Sequence, residues 1–458
     1  MPAARRAASG VSLTLLSMPA APNARRYAPR IMDHSLDVLF AELGAIALEG
    51  AKAVGKTATA VRRANRVMRL DDDAVAAVVR AAPDDAIRAP YPVFFDEWQR
   101  VPAIWDAVRR RVDDDLSPGL VLLAGSARPQ KRAQPTHSGA GRIVTRRMRP
   151  LAISERLSAS SHSDTHDAVS VRALLATEPQ PTLRGSSRWS LRDYAREIVA
   201  SGFPAIRPLS APARRAQLDG YVDHLTTRDI EEATGVSANP AAVRRWLTAF
   251  AAATSTTTSL DKLRDVAAAD EGRRPAMTTV LRYRDALERL FIYDPVPAWR
   301  PGGTALSRMG EAPKIHLVDP AISAHLLGID EDALLDGAPT PLANGIVRDG
   351  GLFGALFESL VAQSMRTYAQ AAEVGHCHLR THGGEHEIDG LLVRRDQRCV
   401  AYEVKLARDV TDHDVRHLRW LREKLGPQLL DAHVITTGPE AYRRADGIGV
   451  IPAAMLVP

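Results

Sequence analysis

The sequence predicts an α/β protein that starts with a parallel sheet, continues through a helical region and ends in a second α/β domain. Three observations predict this order: an apolar run that leads into a glycine loop, further apolar runs that alternate with helical patterns, and two β-prone runs near the C terminus. The 458 residues allow two to four domains and a sizeable core. Residues 1–26 are rich in Ala, Arg and Pro, and we expect a disordered extension there, with Met18 as an alternative start.

The first element is a short apolar strand, Ala45 to Leu48, followed by a glycine loop and a segment suited to a helix, Lys56 to Met68. The loop fits the phosphate-binding pattern G-x-x-x-x-G-K-[ST] without a mismatch, and this context predicts a P-loop NTPase sheet. Its backbone N–H groups and its lysine would bind the phosphates of ATP. The nucleotide-binding residues predicted here are Gly50, Ala51, Lys52, Ala53, Val54, Gly55, Lys56 and Thr57.

A second apolar run, Tyr91 to Phe95, ends in two carboxylates, Asp96 and Glu97. Asp96 follows Thr57 by 39 positions, a spacing at which these two side chains can share Mg²⁺ while Glu97 polarises the attacking water. Ser126 ends the next apolar strand, Leu120 to Ala124, where a polar group that senses the γ-phosphate is expected. The alternative for these groups is ordinary turn chemistry at strand ends.

Four arginines follow that strand, and one of them is a candidate arginine finger that would act across subunits. A solvated basic face or a phosphate contact is the alternative. The four are Arg142, Arg146, Arg147 and Arg149.

The segment from Ser154 to Ser187 is rich in Ser, Thr, His and Pro, which predicts a loop or linker. A helical region follows, with strong helix candidates at Leu260 to Ala269 and Met277 to Leu290. These two helices are compatible with a helix-turn-helix or winged-helix unit and equally with an ordinary small helical bundle.

Near the C terminus, two β-prone runs predict a hairpin that carries Asp389 on one strand and Glu403 and Lys405 on the next. Glu403 and Lys405 share one face because side chains alternate along a strand. Two carboxylates and a lysine on one face, with Glu358 from the preceding helix, could hold a hard divalent cation and activate water. This is the pattern of the PD-(D/E)xK nucleases, and the alternative is a half-exposed charged strand pair.

The same region contains several histidines around Cys377, which raises the idea of a zinc site. Their spacing matches no standard zinc pattern, so polar positions in strands and a loop are favoured. The histidines are His376, His378, His382 and His386.

The composition permits a nucleic-acid partner and argues against a membrane partner, but it does not identify the function. The net charge of +6 and the pI near 9.4 permit a DNA or RNA partner, and the two cysteines fit a reducing cytoplasm. No apolar run approaches the length of a membrane span, so no membrane partner is expected. Assembly into a homo-oligomer stays open.

The order of motifs resembles a widespread prokaryotic family of AAA-like ATPases with a C-terminal PD-(D/E)xK nuclease-like domain. The resemblance covers Tyr27 to the C terminus, and Ala51-Lys52 departs from the proline-containing loop expected there. It rests on Leu48 to Thr57, Phe94 to Glu97, Leu122 to Ser126, His137 to Arg142, Met148 to Leu151, Ser201 to Pro204, Thr227 to Ile230, Pro313 to Pro320, Leu356 to Glu358, Glu387 to Asp389 and Tyr402 to Lys405.

The resemblance implies ATP binding and hydrolysis with Mg²⁺, and leaves nuclease activity open. It implies an AAA-like domain at residues 27–188, a helical or winged-helix region at 189–306 and a restriction-endonuclease-like α/β domain at 307–458. The expected function is a Mg²⁺-dependent ATPase whose C-terminal domain acts on or binds nucleic acid. Two alternatives are an ATP-dependent regulatory or DNA-binding switch with an inactive nuclease-like domain, and a scaffold that binds nucleotide without turnover.

Overall fold

A computed structural model describes residues 27–128, 138–158, 168–178, 182–268, 275–299, 312–337, 351–381 and 383–458. The expectations for residues 1–26 and for His382 lie outside these ranges. Among the described residues, no helix is both long enough and apolar enough to cross a membrane.

The first region is built on a five-stranded sheet in which every neighbouring pair is parallel, as the alternation of apolar runs predicts. The strand that precedes the glycine loop lies inside the sheet, next to an edge strand, and one strand separates it from the strand that ends in Asp96. In the spatial order β2-β3-β4-β1-β5, the strands are β1 Ala45–Glu49, β2 Arg66–Arg69, β3 Val93–Asp96, β4 Val121–Gly125 and β5 Ile143–Arg147.

Helices cover this sheet, and the interiors of β1, β3 and β4 are fully buried. The helix after the glycine loop ends at Val61, so the prediction of one helix from Lys56 to Met68 is wrong at its C-terminal end. Met68 lies in β2 instead, because that segment pairs with β3. The helices are α1 Ile31–Phe40, α2 Lys56–Val61, α3 Asp73–Ala81, α4 Pro83–Ala86, α5 Ala103–Asp114 and α6 Ile153–Ser158, with a 3-10 turn at Trp98–Arg100.

The described part of the predicted linker is partly structured, which corrects the loop prediction. It contains α6, a short strand β6 Val169–Ser170 and a short helix α7 Val171–Leu174. β6 pairs in parallel with β13 Leu456–Val457 at the far end of the chain. This pairing gives the polar segment a backbone partner that composition does not reveal.

The middle region is helical. Its described residues form isolated β-bridges and not the paired strands that the wing of a winged-helix unit would need. A π-helical turn, Leu225–Asp229, joins two of its helices, an irregularity that is often found at functional sites. The helices are α8 Leu191–Ala200, α9 Ala211–His224, α10 Ile230–Thr234, α11 Pro240–Ala252, α12 Leu260–Ala268, α13 Met277–Arg289, α14 Pro320–Leu326 and α15 Glu331–Asp336.

The last region is a six-stranded mixed sheet against a long helix, α16 Leu352–Ala371. The predicted hairpin is present as the antiparallel pair β8 and β9, and β10 then pairs in parallel with β9. The strands are β7 Gly375–Arg380, β8 Glu387–Val393, β9 Cys399–Lys405, β10 Leu429–Thr436, β11 Tyr442–Arg443 and β12 Gly449–Pro452. Helix α17 Arg416–Leu425 and 3-10 turns at Gly426–Gln428 and Ala453–Met455 complete the region.

One large group of contacting buried side chains draws residues from all three regions. Tyr194 of α8 packs edge-on against Phe357 of α16, with 5.2 Å between ring centroids. The same group includes Val54 of the glycine loop. The loop, the helical region and the C-terminal domain therefore share packing, and this contact fixes how they face one another.

Candidate functional site

The glycine loop connects β1 to α2 by a path that requires glycine at both of its ends. A Cβ atom on Gly50 would lie 2.1 Å from the backbone oxygen of Met148, so a larger residue does not fit. Gly55 has a φ of 102°, a conformation that residues with a Cβ rarely adopt. These two positions explain the fixed glycines of the motif, and α2 then begins directly at Lys56.

Lys56 is buried within the loop, and its ammonium donates to the carbonyls of Gly50 and Ala51 at 2.8 Å each. Burial lowers its pKa to about 8, an effect that the nearby Glu97 and Asp96 oppose. A buried ammonium gains from an added negative charge, because its own charge is poorly solvated. The local electrostatics therefore favour a phosphate beside Lys56.

Thr57 and Asp96, the two predicted Mg²⁺ ligands, are in direct contact. The Thr57 hydroxyl donates to one Asp96 carboxylate oxygen at 2.8 Å, and the other oxygen is buried without a hydrogen-bond partner among the described residues. Burial raises the pKa of Asp96. A hydroxyl next to a carboxylate oxygen with no partner is a donor set that suits a hard cation, so these residues fit Mg²⁺.

Glu97 follows Asp96 in a strained backbone conformation, with a φ of 54°. Such strain in a residue that is not glycine is frequent at active sites. The Ser126 hydroxyl donates to Oε2 of Glu97 at 2.7 Å, and Gln99 donates to the same oxygen at 2.5 Å. Neither donor contacts Oε1. The structure thus places Ser126 next to the predicted base, as a group that orients it.

The loop opens into a cavity of about 470 Å³, which we call the nucleotide cavity. Lys56, Thr57 and Glu97 lie on its wall, together with residues that sequence reasoning missed. Tyr27 contributes an aromatic ring, and its hydroxyl is 2.9 Å from Oγ1 of Thr59. Pro204 closes another side from the segment after α8. The Ser201 to Pro204 motif stands out in the sequence, but the sequence alone does not show that this segment lies next to the glycine loop.

Lys52 links the glycine loop to the helical region. Its ammonium is 2.7 Å from Oδ1 of Asp229, the last residue of the π-helical turn. Lys52, Glu97, Ser126 and Asp229 also line a second cavity of about 460 Å³ on that side. The Thr227 to Ile230 motif therefore meets the loop, a contact that no local pattern predicts.

The candidate arginine fingers are mostly engaged within the chain. Arg142 pairs with Asp113 at 2.6 Å, and Arg147 and Arg149 both pair with the buried Asp294, at 3.1 and 2.8 Å. Arg146 has no ion-pair partner in the part of the chain that the structure describes. The contacts give Arg147 and Arg149 an internal role, and a finger acting across subunits stays a prediction without support here.

In the C-terminal domain, a lysine that the sequence analysis did not single out as a site residue lies among the predicted carboxylates. The Lys314 ammonium is 2.9 Å from Glu358, 2.9 Å from Glu387 and 2.8 Å from Asp389, and its side chain is 1% exposed. These carboxylates hold the pKa of Lys314 well above its usual range although burial opposes them. A lysine ammonium thus supplies positive charge at the position proposed for a metal.

Glu403 and Lys405 pair with each other at 2.8 Å, as their shared face predicts. Burial and the nearby Asp389 raise the pKa of Glu403 well above its usual range, and burial also raises that of Glu358 to about 8. Lys314 and the Val404 N–H hold the pKa of Asp389 at about 2. Within the described ranges, no group of three or more His, Cys, Asp or Glu residues is arranged to hold a metal ion.

The predicted metal set of Glu358, Asp389 and Glu403 therefore stays a prediction. The residues do converge, and the ammonium groups of Lys314 and Lys405 lie among them and balance part of their negative charge. Two of the histidines have other contacts: His376 hydrogen-bonds to the Tyr402 hydroxyl at 2.6 Å, and His386 stacks on Trp420.

Comparison with known proteins covers three segments of the chain. Residues 43–157 match a family model described as an AAA domain. Residues 191–333 and 353–456 match two models described as domains of unknown function, DUF8612 and DUF4143. No curated protein matches. A solved structure with partial similarity is the Walker-type ATPase PABY2304 of Pyrococcus abyssi, at 11% identity and a TM-score of 0.38, covering 64% of this chain and 94% of that one.

The family match and the sheet agree on the N-terminal region. Residues 43–157 contain β1 to β5, the glycine loop and the two acidic residues after β3. The chain therefore carries a P-loop ATPase domain of the AAA type, which confirms that part of the predicted fold. The mixed sheet of the C-terminal domain is present, and its nuclease-like fold stays a prediction.

Proposed function

We propose that the protein is a Mg²⁺-dependent ATPase. The observation that carries this proposal is the convergence of Lys56, Thr57, Asp96 and Glu97 at the mouth of one loop, with Thr57 bonded to Asp96 at 2.8 Å. A phosphate loop by itself indicates nucleotide binding but not hydrolysis. A strained, oriented carboxylate next to the Mg²⁺ ligands adds the base that hydrolysis needs.

Each residue has a defined role in this reaction. The N–H groups from Ala51 to Gly55 and the Lys56 ammonium bind the β- and γ-phosphates. Thr57 and Asp96 would hold Mg²⁺, which neutralises charge on those phosphates when bound. Glu97 accepts a proton from water as the water oxygen bonds to the γ-phosphorus and the bridging P–O bond breaks, giving ADP and phosphate.

Two variants separate binding from turnover. Lys56→Ala removes the ammonium and should weaken ATP binding severely. Glu97→Gln keeps the shape of the side chain without the base, so ATP should still bind while phosphate release slows by about 10²–10⁴-fold. Glu42→Gln, at an exposed position next to α1, is the matched control and should behave as the unmodified protein. Wild-type turnover in Glu97→Gln would assign the base elsewhere.

A second candidate function concerns the C-terminal domain, which we propose binds nucleic acid without cutting it. The observation in favour of an inactive site is Lys314, whose buried ammonium lies within 2.9 Å of Glu358, Glu387 and Asp389, among the carboxyls expected to hold a metal. This corresponds to a switch with an inactive nuclease-like domain. Among the described residues, no group of three or more His, Cys, Asp or Glu residues is arranged to hold a metal ion, which favours binding over metal-dependent cleavage.

The test mixes the full chain with labelled DNA or RNA in the presence of Mg²⁺ or Mn²⁺, and follows both complex formation and strand breakage. Retarded but intact nucleic acid supports the proposal. Cleavage that Lys405→Ala abolishes would contradict it, and absence of any complex would remove the nucleic-acid role. ATP hydrolysis is measured in the same samples, because it depends on different residues and stands or falls separately.

A further inference from the structure

A cationic cavity of about 430 Å³ lies between the ATPase sheet and the C-terminal domain, and we call it the arginine cavity. Four arginines line it: Arg146 from β5, Arg149 just after β5, Arg366 from α16, and Arg395 between β8 and β9. It shares no lining residue with the nucleotide cavity. It is therefore a separate feature of the molecule, built jointly by the first and last regions.

Few negative charges balance this cavity. Asp294 lies beneath it and pairs with Arg149 at 2.8 Å, Arg366 at 2.7 Å and Arg147 at 3.1 Å. Glu373 is 3.4 Å from Arg395, whose side chain is 88% exposed. Five arginines thus face two carboxylates, an excess of three positive charges in and just behind the lining.

Two of the lining arginines are not fixed by the buried carboxylate. The Arg146 side chain has no hydrogen-bond or ion-pair partner among the described residues, and the Arg395 side chain has only the long contact to Glu373. The neighbouring His376 adds no charge, because burial and nearby arginines lower its pKa well below the usual range. The positive charge that is available to a ligand is therefore guanidinium charge.

We propose that the arginine cavity binds a phosphate-bearing anion, with Arg146 and Arg395 as the groups that contact it. Several guanidinium charges held close together and partly out of water are unfavourable unless a negative charge balances them. The planar guanidinium presents paired N–H donors that match two oxygens of one phosphate. The anchoring of Arg149 and Arg366 on Asp294 holds the rest of the surface in place before a ligand arrives. This inference does not rest on the ATPase proposal.

The cavity is close to the glycine loop in the fold. Arg146 is paired with Leu48 of β1, two residues before Gly50, and the Gln370 side chain binds both the N–H and the carbonyl of Arg147. A phosphate probe in solution is therefore expected to reach both cavities. The experiment must therefore keep the nucleotide cavity out of the measurement.

Pyrophosphate is titrated calorimetrically into the full chain that holds one equivalent of a non-hydrolysable ATP analogue, enough to fill the nucleotide cavity alone, and separately into the Lys56→Ala chain. The variant Arg146→Ala/Arg395→Ala should weaken pyrophosphate binding by about tenfold or more in both backgrounds, since hydrogen bonds to charged groups are lost. Arg88→Ala, at a position 77% exposed in another part of the domain, is the matched control and should not change the affinity. Thermal unfolding checks that each variant is folded.

A single-stranded oligonucleotide provides the second arm and identifies the source of the phosphate. If it binds, loses affinity in the double variant and competes with pyrophosphate, the ligand is a nucleic-acid backbone. If the double substitution weakens the binding of pyrophosphate but not that of the oligonucleotide, the ligand is a small polyphosphate. Equal affinity in the double variant and the unmodified protein, or no binding of either probe, overturns the proposal.

Discussion

The ammonium of Lys314 lies 2.8 Å from Oδ1 of Asp389, 75 positions later in the chain. The same nitrogen is 2.9 Å from both Glu358 and Glu387. Lys314 precedes α14, whereas the carboxylates come from α16 and β8, so one buried cation joins three segments. The C-terminal carboxylate cluster is consequently held together by an internal charge.

We expect Lys314→Ala to destabilise the protein strongly, because it leaves the ionised Asp389 without its buried counter-ion and Glu358 without its hydrogen bond. Removal of one partner from a buried ion pair costs about 3–5 kcal/mol. Urea unfolding measures this difference, with Lys424→Ala at an exposed position of α17 as the control. An equal loss in both variants would show that Lys314 is not the organising cation. If Lys314→Ala stays folded, Mn²⁺ should stabilise it and not the unmodified chain.

Glu358 should make stability depend on pH. Burial raises its pKa in the folded protein from 4.5 to about 8, so the folded state retains a proton that the unfolded state releases. The contribution is therefore complete below about pH 4.5 and is lost as the pH rises through about 8. Glu358→Gln should flatten this decline by about 3–4 kcal/mol between pH 5 and 8. Unfolding curves at several pH values provide the measurement, and an unchanged slope would contradict the assignment.

Ser126 should act as a positioning residue for Glu97. Ser126→Ala removes the hydrogen bond to Oε2 and leaves the backbone of β4 intact, so kcat should fall by roughly tenfold, the equivalent of one hydrogen bond. ATP affinity should not change, because Ser126 holds the base rather than the phosphates. Steady-state kinetics separate the two quantities, and Ser117→Ala at an exposed position before β4 is the control. Weaker ATP binding with unchanged kcat would instead assign Ser126 to the γ-phosphate.

The contact between Lys52 and Asp229 should oppose nucleotide binding. Asp229 places a buried negative charge 2.7 Å from a loop lysine, where it competes with phosphate for the ammonium. Asp229→Asn should therefore tighten ATP binding by roughly three- to tenfold, and Asp332→Asn, at a position 80% exposed, should leave the affinity unchanged. Equilibrium titration with a fluorescent ATP analogue measures both. Weaker binding in Asp229→Asn would mean that Asp229 supports the loop.

Much of the nucleotide site could be predicted because its residues lie in short, contiguous sequence motifs. The spacing from Gly50 to Thr57 fixes a turn and a helix start, and an apolar strand that ends in Asp96 and Glu97 can present those groups only at the carboxyl edge of the sheet. The family match confirms the fold that carries these residues. The end of α2 was missed because β2 pairs with β3, a contact between distant segments.

The sequence by itself determined the parallel sheet, the phosphate loop, the acidic strand end and the C-terminal hairpin, since each follows from periodicity or from a short motif. Tertiary structure alone decided that Lys314 would lie among Glu358, Glu387 and Asp389, and that Asp294 would gather Arg147, Arg149 and Arg366 beneath the arginine cavity. The physical reason is that charge balance in a buried site depends on which distant segments meet. A carboxylate motif has the same spacing whether its cation is a metal ion or a lysine from elsewhere in the chain.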